Sequence, residues 1–160
     1  SVAFDEIPAS SVVFSPDGAR VAFAGRRGTD WFVTSAGKLE GPYSSVVADT
    51  LRFSADGRTL AYVASRIKGQ FLVVAGKPGK RYDAVAKECV AFSPRGRHVA
   101  YAAREGRSWL VVVDASEGKR YDDTLCRAGG TMAFPTPTDL EYPALSGDSI
   151  LLVRERLGSD

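Results

Sequence analysis

Three observations predict an all-β fold built from repeated four-stranded antiparallel sheets. Aromatic residues recur at a fixed interval of 39: Phe14, Phe53 and Phe92; Phe23, Tyr62 and Tyr101; Tyr43, Tyr82 and Tyr121. Each interval holds short apolar runs with strand-type alternation, separated by turns rich in Gly and Pro. Convincing helical periodicity is absent along the chain. A unit of this length cannot cover both its own faces, so its apolar side chains must pack against neighbouring units.

The elements follow in the same order in each unit. In the first, VVF (12–14) is a short apolar strand and Ser15-Pro16-Asp17-Gly18 is a turn. Pro16 presets φ, Asp17 bonds its own backbone and Gly18 accepts positive φ. RVAFA (20–24) alternates, RRGTD (26–30) turns, WFVTS (31–35) is β-prone, AGKLEG (36–41) reads as a loop and PYSSVV (42–47) as a fourth strand. The units run from about 11–47, 50–86 and 89–125, with a degenerate fourth at about 130–157. There Phe134 follows Phe92 by 42, FPTPTD replaces FSPDG, and SILLVRERL reads as a third strand with Leu152 in the place of Phe32, Phe71 and Leu110. Phe4 precedes Phe14 by ten, as Tyr43 precedes Phe53. Residues 1–8 are therefore expected to supply the outer strand of the last unit and close a ring, which would remove two unpaired edges.

Four strands per roughly 40 residues is the pattern of a β-propeller blade. Phe23, Tyr62, Tyr101, Trp31, Trp109, Phe32 and Phe71 are expected between blades, because large aromatics dominate buried area. FSPDGARVAFAGR, FSADGRTLAYVAS and FSPRGRHVAYAAR resemble the WD-like propeller repeat of TolB-type proteins and of the propeller domains of prolyl-oligopeptidase-class peptidases. The resemblance extends from Val12 to Thr124 and implies one propeller domain over residues 1–160. Ala55 replaces the turn Pro and Arg95 the turn Asp, so that Asp is not an obligatory ligand in each blade. A monomeric ring of four blades, an eight-bladed ring made by two chains, and a piece of a longer propeller all satisfy the strand edges.

Charge and motif content narrow the function. Twenty-one Lys and Arg face 19 Asp and Glu, a net charge of +2, which gives no reason to expect nucleic acid or an anionic membrane as partner. No apolar run reaches the roughly 18 residues that span a bilayer, and the compartment stays open. No cofactor, metal site or catalytic residue is expected: His98 stands alone at an exposed strand start, and the carboxylates are scattered by unit. Asp5-Glu6 and Asp122-Asp123 read as solvated positions on outer strands, and Lys80-Arg81 and Lys119-Arg120 as charges that protect sheet edges, or as an anion-binding rim. Cys89 and Cys126 are expected as free thiols, with a disulfide as the alternative.

Ser10, Asp49 and Glu88 stand one repeat apart, just before the innermost strands, with Thr50 and Arg52 beside them. They are the candidate binding residues, expected around one mouth of a central channel. The resulting expectation is a non-catalytic binding or scaffolding module for a protein, a peptide or a small polar ligand. The alternatives are an accessory, substrate-selecting domain of a larger hydrolase, and half of a homodimeric propeller.

Overall fold

The computed structural model describes residues 3–158, and all its extended elements are antiparallel. The chain divides into two compact units, Ser1–Arg81 and Tyr82–Asp160, each holding two sheets. In the first unit, β1 (Val13–Phe14), β2 (Val21–Arg27), β3 (Asp30–Ser35) and β4 (Lys38–Tyr43) form one meander. The second sheet has a broken inner strand, β5 (Ser45–Val46) and β6 (Arg52–Phe53), both paired with β7 (Leu60–Ser65). β8 (Gln70–Val74) and β9 (Lys77–Pro78) complete it.

The second unit opens with β10 (Ala84–Phe92), β11 (Val99–Glu105), β12 (Ser108–Val113) and β13 (Ser116–Tyr121) in that order. Its other sheet comprises β14 (Asp123–Thr124), β15 (Asp139–Ser146) and β16 (Ser149–Arg156), with β16 at the edge among the described residues. β10 is one strand with a bulge between Val85 and Val90, at the point where the second sheet breaks into β5 and β6.

Residue size along each strand sets the packing. Alternate side chains point to opposite faces, so one face of the first sheet presents the small Ala22, Ala24 and Val33. These form a single core with Val73 and the large Tyr43, Tyr62 and Phe71. In the second unit Ala100, Val111 and Val113 meet Leu140, Tyr142 and Ala144 in the same way. Interlocking small against large side chains packs the layer between the sheets. Each fully buried large side chain contributes roughly 1.5–3 kcal/mol.

Several expectations need correction. The fourth strand of the first sheet is Lys38–Tyr43, part of which reads as a loop in sequence, while Ser45 and Val46 already belong to the next sheet. The reason is a two-residue turn: Ala36 and Gly37 both have positive φ (49° and 77°) and send the chain straight back along β3. Phe4–Ile7, expected as the outer strand of the last unit, pairs instead with β2: Glu6 bridges Arg26, at the same rung as Ser45 with Ser65 and Ala84 with Arg104. The stretch is thus the opening part of the first sheet's own inner strand. In β16, Leu151 rather than Leu152 occupies the place of Phe71 and Leu110, since it faces Ala144 as they face Ala64 and Ala103. A slip of one residue moves a strand's side chains to the other face, and Leu152 is 63% exposed.

The aromatics sort by sheet. Tyr62, Tyr101, Phe71 and Trp109 are buried, whereas Phe23, Trp31 and Phe32 of the first sheet are half-buried. Phe14 of that sheet is 67% exposed.

Candidate functional site

The Ser of the FSPDG-type turn is buried in each repeat (Ser15, Ser54, Ser93). Its hydroxyl accepts from the backbone N–H of the residue just before the next strand: Arg20 at 2.9 Å, Thr59 at 3.0 Å and His98 at 3.0 Å. Ser15 and Ser54 also donate to Asp17 and Asp56, and these bonds hold the two carboxyls below their usual range. A second device lies one step inward. Ser11 and Thr50, equivalent and fully buried, fill the gap where the inner strand breaks. Thr50 donates to the Val47 carbonyl at 2.6 Å and accepts from the Val63 N–H at 2.9 Å, while Ser11 does the same work with Pro8 and Ala24.

Cys89 holds this position in the third repeat. It is bonded to Cys126, with Cα atoms 5.9 Å apart. The free-thiol expectation is overturned: the short turn Leu125–Ala128 carries Cys126 against β10. Spacing in sequence could not show this, because the contact is made between adjacent sheets.

A third device joins each sheet to the aromatic that precedes it. Phe4–Phe23, Tyr43–Tyr62, Tyr82–Tyr101 and Tyr121–Tyr142 all meet edge to face, with centroids 5.8 to 6.2 Å apart. The residue after the aromatic caps a hairpin: Asp5, Asp83 and Asp122 accept from Gly28, Gly106 and Gly147, and Ser44 accepts from Ile67. Asp5 and Asp122 are therefore exposed turn caps beside inner strands, not outer-strand residues. Buried phenols add to the network. Tyr62 donates to Glu40 at 2.6 Å and Tyr142 to Glu155. Burial first, and these carboxylates second, push both phenols well above the usual tyrosine range. His98, expected exposed, is half-buried with Nδ1 on the Asp114 carboxylate.

The candidate binding residues separate by role. Ser10 and Asp49 are exposed, on the equivalent short turns Ala9–Ser11 and Ala48–Thr50, which pack against each other in the first unit. Arg52 is half-buried on β6; burial lowers its pKa and the charge of Asp49 opposes that shift. Thr50 is fully buried with its hydroxyl committed to backbone, so it fixes the turn instead of facing a ligand. Glu88 is exposed at the bulge of β10 in the second unit, where it lines a groove of about 420 Å³ with Lys87, Arg104 and Trp109.

Sequence reading misses another groove, of about 430 Å³, bounded by Asp30, Pro42, Tyr43, Arg66, Ile67 and Arg81. Arg66 donates from Nε to the Pro42 carbonyl at 3.0 Å, and its guanidinium lies 5.1 Å from the Tyr43 ring centroid. The available signal is the hairpin itself, where Ile67 stands at the position of Gly28 and Gly106. No group of three or more His, Cys, Asp or Glu able to hold a metal occurs among the described residues.

No protein-family model matches the sequence, and no curated protein does either. Solved structures match in backbone. TolB from Acinetobacter baumannii aligns over 96% of this chain with a TM-score of 0.52 at 15% identity. The fold is that of a β-propeller. Also similar are the Agrobacterium tumefaciens protein described as a TolB (TM-score 0.48, 16% identity, 91% of this chain) and the Myceliophteria thermophila Cps50 (Swd1) β-propeller domain (0.41, 13%, 88%). The chain spans 41%, 60% and 49% of these three. The sheets are those of this fold, and the buried Ser, the inner-strand hydroxyl and the aromatic pair are devices that recur from sheet to sheet. No helix among the described residues is long and apolar enough to cross a membrane.

Proposed function

We propose that this propeller is a non-catalytic binding or scaffolding module. In this reading it engages a protein or peptide through exposed side chains beside its inner strands: in the first unit Ser10 and Asp49, with Arg52 near them, and in the second, separately, Glu88. The observation that carries the reading is the construction of the Asp49 turn. Thr50 ties it from beneath with two backbone hydrogen bonds, so an exposed carboxylate is presented on a rigid support, and rigidity lowers the ordering cost of binding. Ser10, Asp49 and Glu88 are exposed polar groups. The blades are taken as one propeller domain, and exposed apolar side chains, Phe14 in the first unit and Ile150 and Leu152 in the second, are available to a second copy or to further blades.

A photo-crosslinking residue placed at position 49, with a second placed at position 17 as control, tests the reading. Recovery of a protein partner from position 49 alone supports it. Identical recovery from both positions, or none from either, refutes it. Light scattering separates the assemblies: a dimer supports a ring shared between copies, and a monomer at every concentration excludes that one.

A further inference from the structure

We propose that the hairpin joining β7 to β8 is a docking point for an acidic segment of a partner protein, independent of the Asp49 surface. Four hairpins in this chain need a residue with positive φ at the same place. Gly28, Gly106 and Gly147 meet the need with φ of 58°, 63° and 56°. The second blade has Ile67, with φ 51°. Glycine adopts this region at no steric cost, whereas a β-branched residue there is a genuine outlier. The Ser44 hydroxyl holds the Ile67 N–H at 3.1 Å and keeps the hairpin in place.

The side chain does not offset the strain by packing. Ile67 is 92% exposed, so its side chain contributes almost no packing to this fold. Strain of this sort marks functional surfaces, where a side chain is held for something outside the molecule. The setting defines what that is. Arg66 is preorganised by the Pro42 carbonyl and the Tyr43 ring. Arg81 lines the same groove, and Lys68 follows Ile67 in the hairpin. Two arginines, Arg66 and Arg81, thus line the groove beside one acid, Asp30. An extended segment carrying Asp or Glu, with an apolar side chain between them, satisfies the cations and covers Ile67 together. Nucleic acid fits less well: the chain carries a net charge of only +2 and offers one apolar anchor here rather than a basic track.

The test uses the full chain and a short labelled peptide alternating Glu and Asp with Leu and Phe, read by fluorescence anisotropy. A counterpart with Gln and Asn for Glu and Asp is the control. Saturable binding of the acidic peptide is expected, weakened about tenfold by Arg81→Glu and about fivefold by Ile67→Gly. Ile67→Gly is also expected to raise the melting temperature, since it restores the residue of the other blades; loss of binding with gain of stability separates recognition from misfolding. Four results overturn the proposal: no saturable binding of the acidic peptide, equal binding of the control peptide, indifference to both substitutions, or a fall in melting temperature on Ile67→Gly. Displacement of the peptide by a single-stranded oligonucleotide at equal concentration would assign the surface to nucleic acid and overturn it as well.

Discussion

Removing the Cys89–Cys126 bond should cost this propeller a large part of its stability. The bond closes a loop with a sequence separation of 37. In the chain-entropy treatment, a loop of that length is worth about 3.8 kcal/mol at about 25 °C, because the cross-link restricts the denatured chain. Domains are stable by only about 5–15 kcal/mol, so the double variant Cys89→Ala with Cys126→Ala should remain folded but unfold at much lower denaturant. Ser11 and Thr50 provide an internal comparison, since they hold the same place with a hydroxyl instead of a bond. Cys89→Thr with Cys126→Ala should recover about 1 kcal/mol of the loss. Urea unfolding of the three proteins, with and without a reductant, measures both quantities. If reductant cleaves the bond in the native protein and the unfolding midpoint does not move, the entropic reasoning is wrong. Two reactive thiols in the denatured, unreduced protein would remove the bond itself.

Four further outcomes follow from the hydrogen-bond devices. Tyr62→Phe deletes the donor to Glu40 and the contact with the Tyr43 hydroxyl, and should cost about 1.5–3 kcal/mol in urea unfolding, the range for a bond to a charged group. Ser54→Ala, which takes the buried hydroxyl away from the Thr59 N–H, should cost about 1–2 kcal/mol, whereas Ser10→Ala on an exposed turn should stay within about 0.5 kcal/mol. The phenols of Tyr62, Tyr82 and Tyr142 are raised by burial and by carboxylate partners. Their contribution is complete below the ordinary tyrosine pKa and declines as pH rises above about 10, by roughly 1.4 kcal/mol per pH unit for each phenol. Alkaline melting curves followed by phenolate absorbance check this. Asp17 and Asp56 are lowered by their Ser partners, so the stability they add is present above the ordinary Asp pKa and is lost as pH falls below about 4. Ser15→Ala and Ser54→Ala should flatten that acid limb in thermal melts.

The repeat was legible because the blade-building residues act locally. Ser54 bonds Thr59, and Asp56 bonds Arg58, within one turn, so the same short segment recurs wherever the turn recurs. The candidate site was legible only in part. Asp49 and Ser10 stand on exposed turns as their polarity suggests, but Thr50, polar in sequence, is buried, because a hydroxyl is what closes the break between β5 and β6. Ile67 was missed because its significance appears only when its φ is set beside those of Gly28, Gly106 and Gly147.

By itself, the sequence determined the all-β class, the 39-residue step, the turn chemistry and which aromatics recur, since all of these depend on contacts a few residues apart. Tertiary structure decided which sheet a strand joins, which sulfur meets which, and which face of β16 looks outward. Alternation along Phe4–Ile7 states that the segment is a strand; only the pairing of Glu6 with Arg26 states whose it is. Every edge of an antiparallel sheet offers the same donors and acceptors, so the choice between edges rests on packing against distant residues. That information is not written in the segment that makes the choice.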